Sequence, residues 1–211
     1  MCDMGIMGCS WQWLSNLQGA QAAFVGSVTG SLFGIIALVI GALFNFWLTR
    51  RRDARIRSEE SNAVAAALFG EIVLFREELA RIAKLVASFE ANHREFDAHF
   101  LERIHLQDPS LYKALAGKVG LLDAHVLLAI VTFHNNVQAV RDWLPQLVEN
   151  KERKFSYSTM TVLEPAIEGI ENIFPTLKIL AARMGVAPPK EKFDLGYAYA
   201  ILETERDRFA N

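Results

Sequence analysis

Charge is missing from the first quarter of this chain. Between Asp3 and Arg50 there is no Asp, Glu, Lys or Arg; all 22 Lys and Arg lie from Arg50 onward, with 23 of the 24 Asp and Glu. Cysteine is confined to Cys2 and Cys9, which read as free thiols. Residues 50–211 therefore hold no disulfide framework and no Cys-ligated zinc site. "IMGC" is not a lipoprotein processing signal, because neither a basic start nor an apolar stretch precedes Cys9. The net charge is -2, so no basic excess points to nucleic acid. Alternating apolar runs punctuated by glycine turns are also lacking, which argues against a sheet. There is no Gly-x-Ser-x-Gly elbow, no phosphate loop, no His-Glu-x-x-His and no Cys-His nucleophile pattern. Nothing in the chain proposes an enzyme, and no cofactor or metal is expected.

What fills the uncharged region is apolar. Phe24 to Leu48 reads "FVGSVTGSLFGIIALVIGALFNFWL". At about 1.5 Å per residue this exceeds the roughly 30 Å hydrocarbon core of a bilayer. Lipid offers the backbone no hydrogen-bond partner, so a helix is the expected form. Gly26, Gly30, Gly34, Ala37, Gly41 and Asn45 step along one face of it. Small residues allow close backbone approach between membrane helices, and Asn45 can add an interhelical hydrogen bond. This stripe predicts self-association. Arg50, Arg51, Arg52, Arg55 and Arg57 follow the span. Arginine accumulates on the cytoplasmic side and also attracts anionic headgroups. The expected topology is a single pass through a membrane, with the N-terminus out and the bulk of the chain cytoplasmic. Phe46 and Trp47 fit the inner aromatic belt and Trp11 and Trp13 the outer one.

The remainder reads as helices. Leu68, Ile72, Phe75, Leu79, Ile82, Val86, Phe89, Phe96 and Phe100 recur at three- and four-residue steps, interrupted only near His93. This spacing is close to a heptad seam and predicts one long helix over 49–106, a second support for self-association. Asp108 and Pro109 are expected to cap and open a short helix ending near Gly117 or Gly120. Pro145 is expected to kink or end the broad-faced helix that starts near Asp123. Over 158–184, Pro165 is placed in a first turn, Pro175 at a bend and Gly185 at the C-terminal cap. "VAPPKEK" is a linker, and Leu195, Tyr199 and Leu202 share one side of a final helix. The fold class is therefore all-α: residues 1–23 form an extracytoplasmic segment, 24–48 the span, 49–106 the Arg cluster and long helix, 107–187 a cytoplasmic bundle, and 188–211 a tail or short helix.

The exit "FNFWLTRRRDARIR", followed by "AVAAALFGEIVLFREEL" and "PSLYKALAGKVGLLDAHVLLAIVTFH", resembles a set of bacterial single-span inner-membrane proteins with a helical cytoplasmic part. The likeness covers roughly residues 30–145 and brings no catalytic residues with it. The layout is also similar to a CRISPR-associated type of membrane accessory protein, which combines a span, a helical cytoplasmic part and pore-like oligomers.

Two further patterns touch on chemistry. Glu90-x-x-His93 and Glu102-x-x-His105 match the element of di-iron carboxylate bundles, but that site draws its elements from different helices. On one helix, 12 residues apart, the two cannot share a metal. Arg94 and His99 in "REFDAH" match the Arg-x4-His pattern of HEPN ribonucleases. That resemblance implies an arginine stabilising phosphate charge and a histidine moving a proton at a dimer interface. Here Glu95 follows the arginine, and the pattern sits in the first long helix rather than late in the bundle. Three readings stay open: a homo-oligomeric membrane assembly, extending to a pore or a sensor; a membrane-tethered RNA-binding or RNA-cleaving effector; and a monomeric tether. The expected partners are the bilayer, a second copy and a cytoplasmic protein.

Overall fold

A computed structural model describes residues 19–104, 106–152 and 158–210. The expectations for Cys2, Cys9, Trp11, Trp13, His105 and residues 153–157 lie outside them. Every regular element among the described residues is helical: α1 (Ala20–Ala91), α2 (Ala98–Arg103), α3 (Ser110–Leu115), a 3₁₀ turn (Val119–Leu121), α4 (Ala124–Glu152), α5 (Met160–Asn172), α6 (Phe174–Met184) and α7 (Gly196–Ala210). The chain divides into two units, Met1–Ile56 and Arg57–Asn211.

In the first unit almost every described side chain is exposed, including Leu38 at 75%. The helix persists there through its own backbone bonds and local contacts. Thr29 donates to the Val25 carbonyl at 2.7 Å, and the Phe44 and Trp47 rings stack at 6.3 Å.

The second unit builds one core. Leu68, Ile72, Phe75, Leu79, Ile82 and Val86 of α1 are buried there, together with Ile130, Phe133 and Val137 of α4 and Leu163, Ile167 and Ile170 of α5. Gly169 lets α5 approach closely: a Cβ at that position would lie 3.1 Å from a Leu79 methyl and 3.4 Å from the Asn136 Cβ. Ala198 and Leu202 are buried on one face of α7, with Leu195 buried just before it, while Tyr199, on the edge of that face, donates from its hydroxyl to Glu171.

Several expectations change. The long helix stops at Ala91, not near residue 106. His93 takes a left-handed conformation (φ 49°), its N–H donates to the Glu90 carbonyl at 3.0 Å, and the Arg94 N–H donates to the Phe89 carbonyl at 2.8 Å. That is a Schellman ending, which satisfies the last carbonyls. Asp97 then caps α2 by accepting from the Phe100 N–H at 2.9 Å. Phe96 and Phe100 remain core residues because the chain folds back. The Phe89–Phe100 and Phe96–Phe100 ring centroids lie 4.8 and 4.9 Å apart.

Pro145 does not end α4. It faces solvent, while Leu144, Leu147 and Val148 are buried around it and hold the last turns in place. The loss is confined to one intrahelical bond to the Arg141 carbonyl. Pro165 lies within α5, beyond its first turn, and Pro175 opens a separate helix rather than bending one. Gly185 does cap α6, at φ 69°.

Candidate functional site

The small-residue stripe stands open. A Cβ built on Gly26, Gly30, Gly34 or Gly41 meets nothing within 4 Å, and Ala37 and Asn45 are exposed. The helix that carries them is a candidate membrane span by length and composition. Arg50, Arg51, Arg52 and Arg55 are exposed at its end, and Arg57, also exposed, begins the second unit. The Arg51 guanidinium carbon lies 4.3 Å from the centre of the Trp47 ring.

The heptad-like seam is not open. Leu68, Ile72, Leu79, Ile82 and Val86 are fully buried within this chain's own core. A stripe that packs against α4 and α5 of the same protomer cannot also zip against a second copy. The seam therefore withdraws its support for a coiled coil.

Two buried charges lie on the flanks of that seam. Glu71, on α1, accepts from the Leu111 N–H at 2.8 Å and the Tyr112 N–H at 2.9 Å. It thus does for α3 what Asp108 was expected to do, through a contact between residues far apart in the chain. Asp108 instead accepts from Lys113 at 2.7 Å and pairs with Arg141, and these two cations hold its carboxyl below the usual range. Beside Glu71 lies His134, 5% exposed, its ring stacked on Tyr112 at a centroid distance of 3.9 Å. Its Nε2 is 3.9 Å from a Glu71 oxygen, too far for a hydrogen bond. Neither ring nitrogen has a hydrogen-bond partner among the described residues. Burial pushes the imidazole down to about 4, so it is neutral at pH 7. A half-open cavity of about 860 Å³, lined by Phe69, Gly70, Leu74 and Leu111 among others, reaches Glu71.

Arg76 is the second buried charge, at 2% exposed. Its Nε donates to the Ile170 carbonyl at 2.8 Å, Nη1 to Lys190 at 2.5 Å and Nη2 to Glu191 at 2.7 Å. The Phe174 and Phe193 ring centres lie 4.9 and 4.8 Å from its guanidinium carbon. Burial lowers its pKa, opposed by the charges of Glu191 and Glu77. Arg76 thus fastens the linker after α6 to the bundle. Sequence reasoning passed over both residues. The available signal was their register: each stands three or four positions from core members of the seam, where a charge needs a buried partner.

Arg94 and His99 take separate partners. The Arg94 guanidinium lies 5.9 Å from the Phe89 ring, in the turn after α1, whereas exposed His99 on α2 pairs with Glu102 at 3.0 Å. Glu90 and His93 sit at the end of α1, with the Glu90 carboxyl raised by burial and then by the nearby charge of Glu205. Glu102 lies on a different helix, so the single-helix placement of the two Glu-x-x-His elements does not hold. No family model matches the chain, and no curated protein or solved structure matches it either.

Proposed function

We propose that this chain is a single-pass membrane protein that associates with itself through Gly26, Gly30, Gly34, Ala37, Gly41 and Asn45 and carries its bundle on the cytoplasmic side of a bacterial inner membrane. One observation carries the reading: the apolar stretch from Phe24 to Leu48 is exposed on every side, while the second unit buries its own apolar face. An exposed, uncharged helix of this length is stable in lipid and costly in water. Small residues on one face then favour close contact with another helix. An assembly role, extending to a sensor or a pore, is preferred over RNA cleavage because Arg94 and His99 face different groups.

The deciding experiment is the detergent-corrected mass of the purified full-length protein and of Gly30→Leu. An oligomer that dissociates on substitution supports the reading; a monomeric wild type leaves the tether. Topology has a direct probe, since Cys2 and Cys9 both precede the span. A membrane-impermeant maleimide labels them in intact cells if the N-terminus faces out.

A further inference from the structure

We propose that Arg50, Arg51, Arg52 and Arg55 form a binding site for the phosphates of anionic phospholipid headgroups. The proposal rests on the membrane-anchored reading above and adds a ligand to it.

Three observations converge. The first is placement. The four arginines begin two residues after the apolar stretch, and within residues 50–56 only Asp53 opposes them. From Arg50 to Arg55 the helix rises about 7.5 Å, close to the depth of one headgroup layer, about 5–7 Å. The second is direction. Successive helical residues point about 100° apart, so Arg50, Arg51 and Arg52 fan around the helix, Arg55 falls between Arg51 and Arg52, and Asp53 takes the remaining sector. A protein partner docks on one side of a helix, whereas lipid surrounds it. The third is the lean of the side chains. Helical side chains tilt toward the N-terminus, and here that is toward the apolar stretch. Arg51 shows this directly, its guanidinium lying over Trp47 at 4.3 Å. Trp47 belongs at the membrane interface by its amphipathic ring, so Arg51 is brought to the level where lipid phosphates lie. All four arginines are exposed, and a guanidinium binds phosphate through paired N–H donors.

The test uses the full-length protein in mild detergent, given equal amounts of dioleoyl phosphatidylglycerol and dioleoyl phosphatidylcholine, with the retained lipid counted by native mass spectrometry. The wild type is expected to retain phosphatidylglycerol over phosphatidylcholine by tenfold or more. Each Arg→Gln substitution is expected to lower that preference about fivefold. The variant with all four replaced should show none, and the matching Arg→Lys variant should recover part of it. Equal retention of both lipids by the wild type, or an unchanged preference in the fourfold Gln variant, overturns the proposal. Loss of the preference in millimolar inorganic phosphate, or displacement of the lipid by a short RNA, also overturns it by naming a soluble ligand instead. Alkaline carbonate extraction of cell membranes separates the two levels. Release of the protein sinks the anchored reading itself, whereas a protein that stays in the membrane without lipid preference sinks only the headgroup site.

Discussion

One helix, α1, meets two environments. From Phe24 to Leu48 it is apolar on all sides, uncharged and exposed; from Arg57 to Ala91 it is amphipathic, and its apolar face is buried by the same chain. Both stretches carry regular three- and four-residue patterns, yet these have different meanings. The seam of leucines, isoleucines and phenylalanines is satisfied within the protomer, whereas the glycine stripe faces open space. Glycine makes the same point. Gly169 accommodates a neighbour that a Cβ would press upon, while Gly30 has nothing beside it. Periodicity marks a contact face; only the fold tells whether the contact is already made.

Substitutions can break this comparison. The largest effect is expected at Arg76, where Arg76→Ala leaves the carbonyls of Ile170, Lys190 and Glu191 without their donor. A loss of about 3–5 kcal/mol is expected in urea unfolding of the bundle, whereas Arg51→Ala leaves the bundle's midpoint unchanged. Next come the leucines. Leu79→Ala, in the core, costs roughly 2–5 kcal/mol, and Leu38→Ala has no effect on bundle unfolding. Equal effects would abolish the distinction between the two stretches.

His134 sharpens it through pH. Its folded value is about 4 against 6.5 for the free group, so the unfolded chain takes up its proton first. Above pH 6.5 the imidazole is neutral in both states, so it adds no pH dependence there. Stability then falls as pH drops from 6.5 through 4, by at most about 3 kcal/mol. Denaturation of His134→Phe across this window should lack that part of the slope, with the carboxylates as a common background. Gly169→Ala ranks below, at about 1–2 kcal/mol, because Leu79 and Asn136 must give way, while Gly30→Ala leaves bundle unfolding unmoved and acts on oligomer mass alone. The smallest effect belongs to His99→Ala, which removes an exposed pair with Glu102. It should change stability by less than about 0.5 kcal/mol, and unchanged RNA binding would remove the support for the RNA-cleaving alternative.

Legibility followed locality. Gly185 and His93 end their helices by the same hydrogen-bond pattern, but glycine announces a left-handed residue and histidine does not. The aromatic series ran on through Phe96 and Phe100 because the chain turns and returns those rings to Phe89. Pro145 looked like a stop because the cost of proline is local, whereas the burial of Leu144, Leu147 and Val148 that keeps α4 going is tertiary. The shared placement of the stripe and of the arginines on one exposed helix was readable, since each is a run along that helix. Glu71 and Arg76 were not, because their partners lie far along the chain at Leu111 and Lys190.

By itself the sequence determined the helical class, the exposed apolar stretch and the residues of the buried seam. These follow from backbone periodicity and from the transfer of side chains out of water, which act within a few turns. Only the tertiary structure decided that the seam closes on its own protomer, that α1 ends at Ala91, and that the buried charges of Glu71 and Arg76 tie distant segments together. Such outcomes depend on which backbone amides and carbonyls, remote in sequence, arrive beside a charge that has left water.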